Sequence, residues 1–138
     1  MSALTWQNLV YALTQVAHNF GAVVVVAVPI HRLITGRPAR ERGVLWLTMS
    51  GWAVQIASGT LFGLVSLYFY HQLPDIHGVA IVALTIKIVC AITAFVLIAV
   101  SLRARDPYTG LRATMTWQTL TMLAIIALTA AAFLRWYS

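Results

Sequence analysis

The chain has 138 residues, of which 61% are hydrophobic and only 9% are charged, and its formal net charge is +6. A soluble domain usually has about 25% charged residues, so this composition indicates an integral membrane protein, with one domain over residues 1–138. The positive charge does not indicate nucleic-acid binding. The arginines cluster in two short segments between apolar stretches, which is typical of loops that face anionic lipid.

Four apolar stretches are long enough to cross a bilayer, for which about 20 residues are needed. They cover residues 9–34, 44–69, 79–102 and 115–134. The N-terminal segment has no positive charge and no small-residue cleavage site, so we expect the first stretch to remain in the membrane. Because the connections are short, the pattern predicts an all-α integral membrane protein, an up-down-up-down bundle of four transmembrane helices with antiparallel neighbours.

The distribution of arginine predicts the orientation of this bundle. Residues 35–43 and 103–114 are rich in arginine, whereas residues 70–78 contain no lysine or arginine. The positive-inside rule therefore places the two basic loops in the cytoplasm and the 70–78 loop and both termini outside, and we expect a bacterial inner membrane. Aromatic residues are expected at both interfaces, the outer set being Trp6, Tyr68, Tyr70, Trp136 and Tyr137 and the inner set Trp46, Tyr108 and Trp117.

Three polar residues lie at one depth in this arrangement. With a rise of about 1.5 Å per residue, His18 and Lys87 lie roughly 12–14 Å below the outer ends of their helices, and Gln55 lies about 17 Å from the inner end of its helix. In a hydrocarbon core about 30 Å thick, all three are near the midplane, where polar and ionisable groups are costly. We therefore expect them to face the interior and to share partners.

Helical spacing predicts the inward faces. In the first span, residues at steps of three and four are Tyr11, Gln15, His18, Ala22, Val25 and Pro29. In the second span, residues at steps of four are Gly51, Gln55, Gly59 and Gly63, and we expect the glycines to admit a helix backbone or a flat ligand. In the third span, the small residues around Lys87 are Ala83, Cys90, Ala91 and Ala94.

His18 and Lys87 each have more than one interpretation. His18 is either a neutral imidazole bonded to Gln15 or Gln55, an axial ligand to a haem held between helices, or a proton relay or quinone contact. Lys87 has no acidic residue in any predicted span, so it either snorkels towards the interface or pairs with a ligand group or with an acid on a partner subunit. The ligand group would be a haem propionate or a quinone oxygen.

The remaining candidates give weaker signals. We expect His31 to lie at the headgroup level, and His71 and His77 to flank Asp75 in a solvated loop, although these three side chains would be the ligands of any metal site there. The depths of His77 and His18 in the membrane differ by roughly 14 Å, which disfavours a haem ligated by both histidines. Copper binding has little support, because the methionines are scattered and Cys90 is the single cysteine. No nucleophile–base pair or carboxylate pair indicates hydrolytic chemistry.

The order of several features suggests a family. They are His18 followed by Gly21, the basic exit His31-Arg32, Ser50-Gly51, His77 ahead of the third span, and Lys87 between two isoleucines. In this order the chain resembles small four-helix membrane proteins, the CopD-like copper-resistance proteins and the HemJ-type protoporphyrinogen oxidases. The resemblance implies haem b at His18 and a role for Lys87. His77 and Lys87 are ten residues apart, whereas the HemJ-type family keeps its histidine and lysine nearly adjacent, and the family's tryptophan after the first histidine is absent. From this resemblance we therefore expect a haem-binding helix bundle in this chain, but not the oxidase activity.

We predict a haem b-binding membrane protein or subunit that carries electrons between a quinone or membrane partner and an external redox protein. His18 would ligate the iron and Lys87 would pair with a propionate. The other residues of the predicted site are Gln55 and the glycines that would admit the flat ring, Gly51, Gly59 and Gly63. The alternatives are a cofactor-free accessory subunit of a larger membrane complex, whose His18 and Lys87 bond only to protein groups, and a protein that handles copper or protons.

Overall fold

The computed structural model describes residues 3–36, 41–71, 77–104 and 111–137. These residues form four helices and no strand, namely α1 (Ala3–Ile34), α2 (Arg42–Tyr70), α3 (Val79–Arg103) and α4 (Leu111–Tyr137). By length and composition each helix can cross a membrane, so the prediction of an all-α protein with four such helices is confirmed. The helices are longer than the predicted spans, because hydropathy detects the apolar part of a helix and not its polar end turns.

Backbone conformation marks several helix ends. Gly36 follows α1 with a φ of 58° and Gly78 precedes α3 with a φ of 51°, values that glycine adopts without a Cβ clash. His71 ends α2 in the left-handed region, where its N–H donates to the Leu67 carbonyl at 3.0 Å. Pro29 lies inside α1 and is buried, and the helix continues past it to Ile34.

Each helix packs against two others in the described part of the bundle. α1 and α3 both contact α2 and α4. Along the interface between α1 and α2, Tyr11 stacks on Phe62, while Val24 lies against Gly51. Residues later in α1 therefore contact residues earlier in α2, so these two helices are antiparallel.

The packed core occupies the half of the bundle nearest the α1–α2 and α3–α4 connections. Its largest fully buried hydrophobic side chains are Trp52, Trp117, Leu45, Ile98 and Leu120. The buried faces of α3 and α4 are rich in alanine, which allows their backbones to approach closely. The midspan polar residues lie where this core ends.

The structure corrects one prediction about the aromatic belts. Trp117 is only 1% exposed, so its placement at the inner interface was wrong. It lies on the buried stripe of α4 with Ala113 and Leu120. The prediction failed because nearness to a helix end does not determine which way a side chain points. Trp46 is 56% exposed, and the outer set of Trp6, Tyr68, Trp136 and Tyr137 is exposed too. Tyr108 and the side chain of Tyr70 lie outside the described residues.

Candidate functional site

His18 is half-buried in the middle of α1 and contacts side chains from two other helices. Its Nδ1 lies 2.7 Å from Ser58 Oγ on α2, and its Nε2 lies 3.2 Å from Lys87 Nζ on α3. The structure thus brings His18 and Lys87 together, as the depth argument led us to expect.

Gly21 sets the separation of the helices at this level. A Cβ built on it would lie 3.0 Å from Val54 Cγ1, 3.1 Å from Gln55 Nε2 and 3.2 Å from the Gly51 carbonyl oxygen. Such contacts are closer than ordinary van der Waals packing, so a larger residue here would force α2 side chains or the α2 backbone to shift. The approach brings the His18 ring within hydrogen-bonding range of α2.

The hydrogen bonds around His18 have one consistent direction. The Ser58 hydroxyl donates its hydrogen to the Val54 carbonyl at 2.5 Å, so it accepts from His18 Nδ1–H. His18 Nε2 is then the unprotonated nitrogen, and it accepts from Lys87 Nζ, which has only donors. The network therefore runs from Lys87 through His18 and Ser58 to Val54.

Lys87 has no carboxylate partner among the described residues. The chain contains three acidic residues, and Glu41 is the one that the structure describes. Glu41 forms an ion pair with the buried Arg32, whose Nη2 lies 2.5 Å from Glu41 Oε2. Asp75 and Asp106 lie outside the described residues. The half-buried lysine therefore contacts another basic group, His18, rather than an acid.

Gln55 and Phe62 complete the surroundings of His18. The buried Gln55 amide donates through Nε2 to the backbone carbonyl of His18, so it ties α2 to α1 rather than bonding to the ring. Phe62 meets the imidazole edge-on at a centroid distance of 5.8 Å, and Tyr11 stacks on Phe62 at 6.3 Å. Ser58 and Phe62 were missed by the sequence reasoning, although they follow Gln55 at helical steps of three and four and so share its face.

The three glycines predicted to admit a flat ring lie in different environments. A Cβ on Gly51 would lie 2.7 Å from Val24 Cγ1, so Gly51 serves helix packing and leaves no space for a ring. Gly59 and Gly63 are different, because a Cβ on either would meet nothing within 4 Å. They directly follow Ser58 and Phe62, the two α2 residues that contact His18, and each faces open space.

Gln15 is exposed and does not join the site. It was expected on the inward face with His18, and that expectation was wrong. At 100° per residue the two positions differ by about 60°, which is enough to take Gln15 off the buried stripe. Its Nε2 donates to Asn19 Oδ1 at 2.8 Å instead.

The remaining histidines lie apart from this cluster. His31, His71 and His77 are all exposed, and His77 precedes α3 by two residues. Asp75, the third ligand of the conceived loop metal site, lies outside the described residues. Within the described ranges no group of three or more histidine, cysteine, aspartate or glutamate side chains could hold a metal ion. Cys90 is buried and free.

Comparisons with protein-family profiles, with curated proteins and with solved structures found no match for this chain. The resemblance to CopD-like and HemJ-type proteins therefore stays a prediction. Any functional inference for this chain therefore rests on the hydrogen-bonding atoms around His18.

The donor chemistry at His18 is compatible with haem b once the Lys87 side chain moves. Histidines that ligate a metal usually donate their second ring N–H to a fixed acceptor, as His18 Nδ1 does to Ser58. Lys87 is a cation without a described carboxylate partner, and it suits a propionate. Iron at Nε2 requires the Lys87 ammonium to leave that nitrogen, and the flexible four-carbon stem of lysine permits this.

Proposed function

We propose that this integral membrane protein binds haem b at His18 and carries electrons between a quinone or membrane partner and a redox protein outside the membrane. The observation that supports the proposal is the directed network at His18, in which Ser58 accepts from Nδ1–H and Nε2 is unprotonated and accepts from Lys87 Nζ. Lys87, which has no carboxylate partner among the described residues, would supply a cation for a propionate beside this histidine.

Each residue has a defined role in this proposal. His18 Nε2 would ligate the iron, and Ser58 would fix the ring orientation. Lys87 would pair with a propionate, and the open space at Gly59 and Gly63 would admit the flat ring. Haem supplies one-electron chemistry when bound, and the protein tunes it through the axial ligand and the surrounding hydrogen bonds.

The proposal includes an orientation for the bundle. The helices run up-down-up-down with both termini outside, the loops at 35–43 and 103–114 in the cytoplasm and the loop at 70–78 outside, in a bacterial inner membrane. The antiparallel packing of α1 on α2 and the arginine distribution support it. His18 and Lys87 then lie closer to the outer side than the packed core does, which suits an external redox partner.

A cofactor-free accessory subunit is the second candidate. One observation favours it, which is that both ring nitrogens of His18 already have protein partners. In that case Lys87, His18 and Ser58 would join three helices as a structural network.

The two candidates are separated by the haem content of matched histidine variants. We would purify the wild type, His18→Ala and the control His31→Ala from haem-replete cells in mild detergent, and measure haem per chain by the pyridine haemochromogen method. Far-ultraviolet circular dichroism would check that each variant keeps its helices. Haem binding at His18 predicts that His31→Ala matches the wild type and that His18→Ala loses the pigment. Full haem content in a folded His18→Ala would exclude His18 as the required ligand, and wild-type protein without haem would favour the accessory subunit.

A further inference from the structure

One outer face of α1 carries polar and small residues inside an otherwise apolar helix. Asn8, Ala12, Gln15 and Asn19 are all exposed and follow one another at steps of four, three and four. This alternation of three and four is the spacing of the contact positions in a two-stranded helical pair. The seam, as we call these four residues, lies away from the buried stripe that contains His18.

Two residues of the seam lie at the depth of the hydrocarbon. α1 spans Ala3–Ile34, and Gln15 and Asn19 lie on either side of His18 near its middle. The Gln15 Nε2 donates to Asn19 Oδ1 at 2.8 Å, which uses one donor and one acceptor of the pair. Each side-chain amide has two N–H donors and a carbonyl acceptor, so both donors of Asn19 and the carbonyl of Gln15 have no partner among the described residues.

Unpaired amides facing lipid are unfavourable, because hydrocarbon offers no hydrogen-bond partner. The bilayer does not satisfy these groups, and the protein's own helices leave them exposed. Polar side chains at such depths usually face another helix, and amides bond across helices there. An exposed polar face of this kind at midspan is a contact surface for a helix from another chain.

We propose that the seam is a homodimer interface, in which α1 of a second copy packs parallel to α1 about a two-fold axis along the membrane normal. An amide is both donor and acceptor, so the Gln15–Asn19 pair is complementary to itself. Two copies inserted with the same orientation bring these amides to the same depth. A different partner would need amides of its own at that depth to pair with them. Ala12 is small and lets the two helices approach. The interface lies on α1 whether or not His18 binds haem.

Cysteine cross-linking in native membranes tests this geometry directly. The buried Cys90 would be replaced by alanine, and single cysteines would be introduced as Ala12→Cys on the seam and Leu13→Cys beside it. The two positions are at nearly the same depth and both are exposed, but they point about 100° apart. With copper–phenanthroline, the seam predicts a disulfide-linked dimer at least tenfold more abundant for Ala12→Cys than for Leu13→Cys. Equal yields would mean random collision and would overturn the interface.

A second measurement tests the role of the amides without a cross-link. The Gln15→Leu/Asn19→Leu variant would be compared with the wild type by single-molecule photobleaching in liposomes at high lipid dilution. We expect two bleaching steps for the wild type and mainly one for the double variant, with unchanged helicity in both. A wild type that bleaches in one step, a double variant that remains dimeric, or cross-linking of Ala12→Cys only to a different protein would each overturn the proposal.

Discussion

Lys87 Nζ lies 3.2 Å from His18 Nε2, so a side chain of α3 reaches α1 although the backbones of these two helices are not neighbours in the described bundle. Two basic groups at this distance repel each other if both are protonated. The contact is therefore an arrangement in which Lys87 donates to a neutral imidazole and has no described acid to balance it. In the proposed haem site this cation would move from His18 Nε2 to a propionate, which would give it an anionic partner.

Replacing Lys87 tests its proposed partner. We expect Lys87→Met to weaken haem binding about tenfold or more, because a hydrogen bond to a charged group contributes roughly 1.5–3 kcal/mol. The measurement is a haem titration of the purified apoprotein followed by absorbance. Lys87→Arg keeps the positive charge and should bind haem more tightly than Lys87→Met. Equal haem affinity for the wild type and Lys87→Met would mean that Lys87 does not pair with a propionate.

Ser58 is expected to act by orienting His18. Ser58→Ala removes the acceptor of His18 Nδ1–H. Loss of such a partner typically costs 10–100-fold in metal affinity, so we expect haem loss on size-exclusion chromatography and a changed reduced α band. Ser50→Ala is the matched control, because Ser50 is an exposed α2 serine whose hydroxyl donates to the Leu47 carbonyl within its own helix. If Ser58→Ala and Ser50→Ala have the same spectrum and haem content, Ser58 has no orienting role.

The close packing of α1 on α2 predicts different effects at two glycines. Gly51→Ala places a Cβ at 2.7 Å from Val24 Cγ1, and overpacking of this kind costs about 1–3 kcal/mol. Gly59→Ala has open space and should be neutral or stabilising by up to about 1 kcal/mol, since alanine favours helix. Thermal unfolding of both variants in one detergent measures the difference. A Gly51→Ala protein as stable as Gly59→Ala would contradict the packing described here.

The proposed orientation predicts which residues an impermeant thiol reagent reaches. In a Cys90→Ala background, His77→Cys should be labelled by a charged maleimide added outside intact cells. Thr35→Cys, at the end of α1, should be labelled only after the membrane is opened. Labelling of Thr35→Cys in intact cells with protection of His77→Cys would reverse the orientation and place His18 nearer the cytoplasm.

The sequence predicted the helices and the depth of the site, but not the angular positions of several side chains. Hydropathy located each span, and the rise per residue placed His18, Gln55 and Lys87 at one level. Steps of three and four leave an uncertainty of about 60° around a helix, and this is why Gln15 was placed inside although it is exposed. Trp117 was assigned to the interface from its nearness to a helix end, which does not determine whether a side chain faces the neighbouring helices.

Ser58 shows a second limit of prediction from one sequence. A serine in an apolar span has no distinctive hydropathy, and its importance appears only when Gly21 is seen to bring α1 and α2 together. The ion pair of Arg32 with Glu41 was missed for a similar reason, since both residues belong to a basic stretch that was interpreted only through its charge.

The visible spectrum of the wild-type protein tests whether the chain binds haem, on which the proposed role of His18 depends. The protein would be purified in mild detergent from cells supplied with haem, and its spectrum recorded oxidised and then reduced with dithionite. Haem binding predicts a Soret band and a sharp α band on reduction. A spectrum with only tryptophan and tyrosine absorbance would overturn the haem proposal, and the network of Lys87, His18 and Ser58 would then be a structural one.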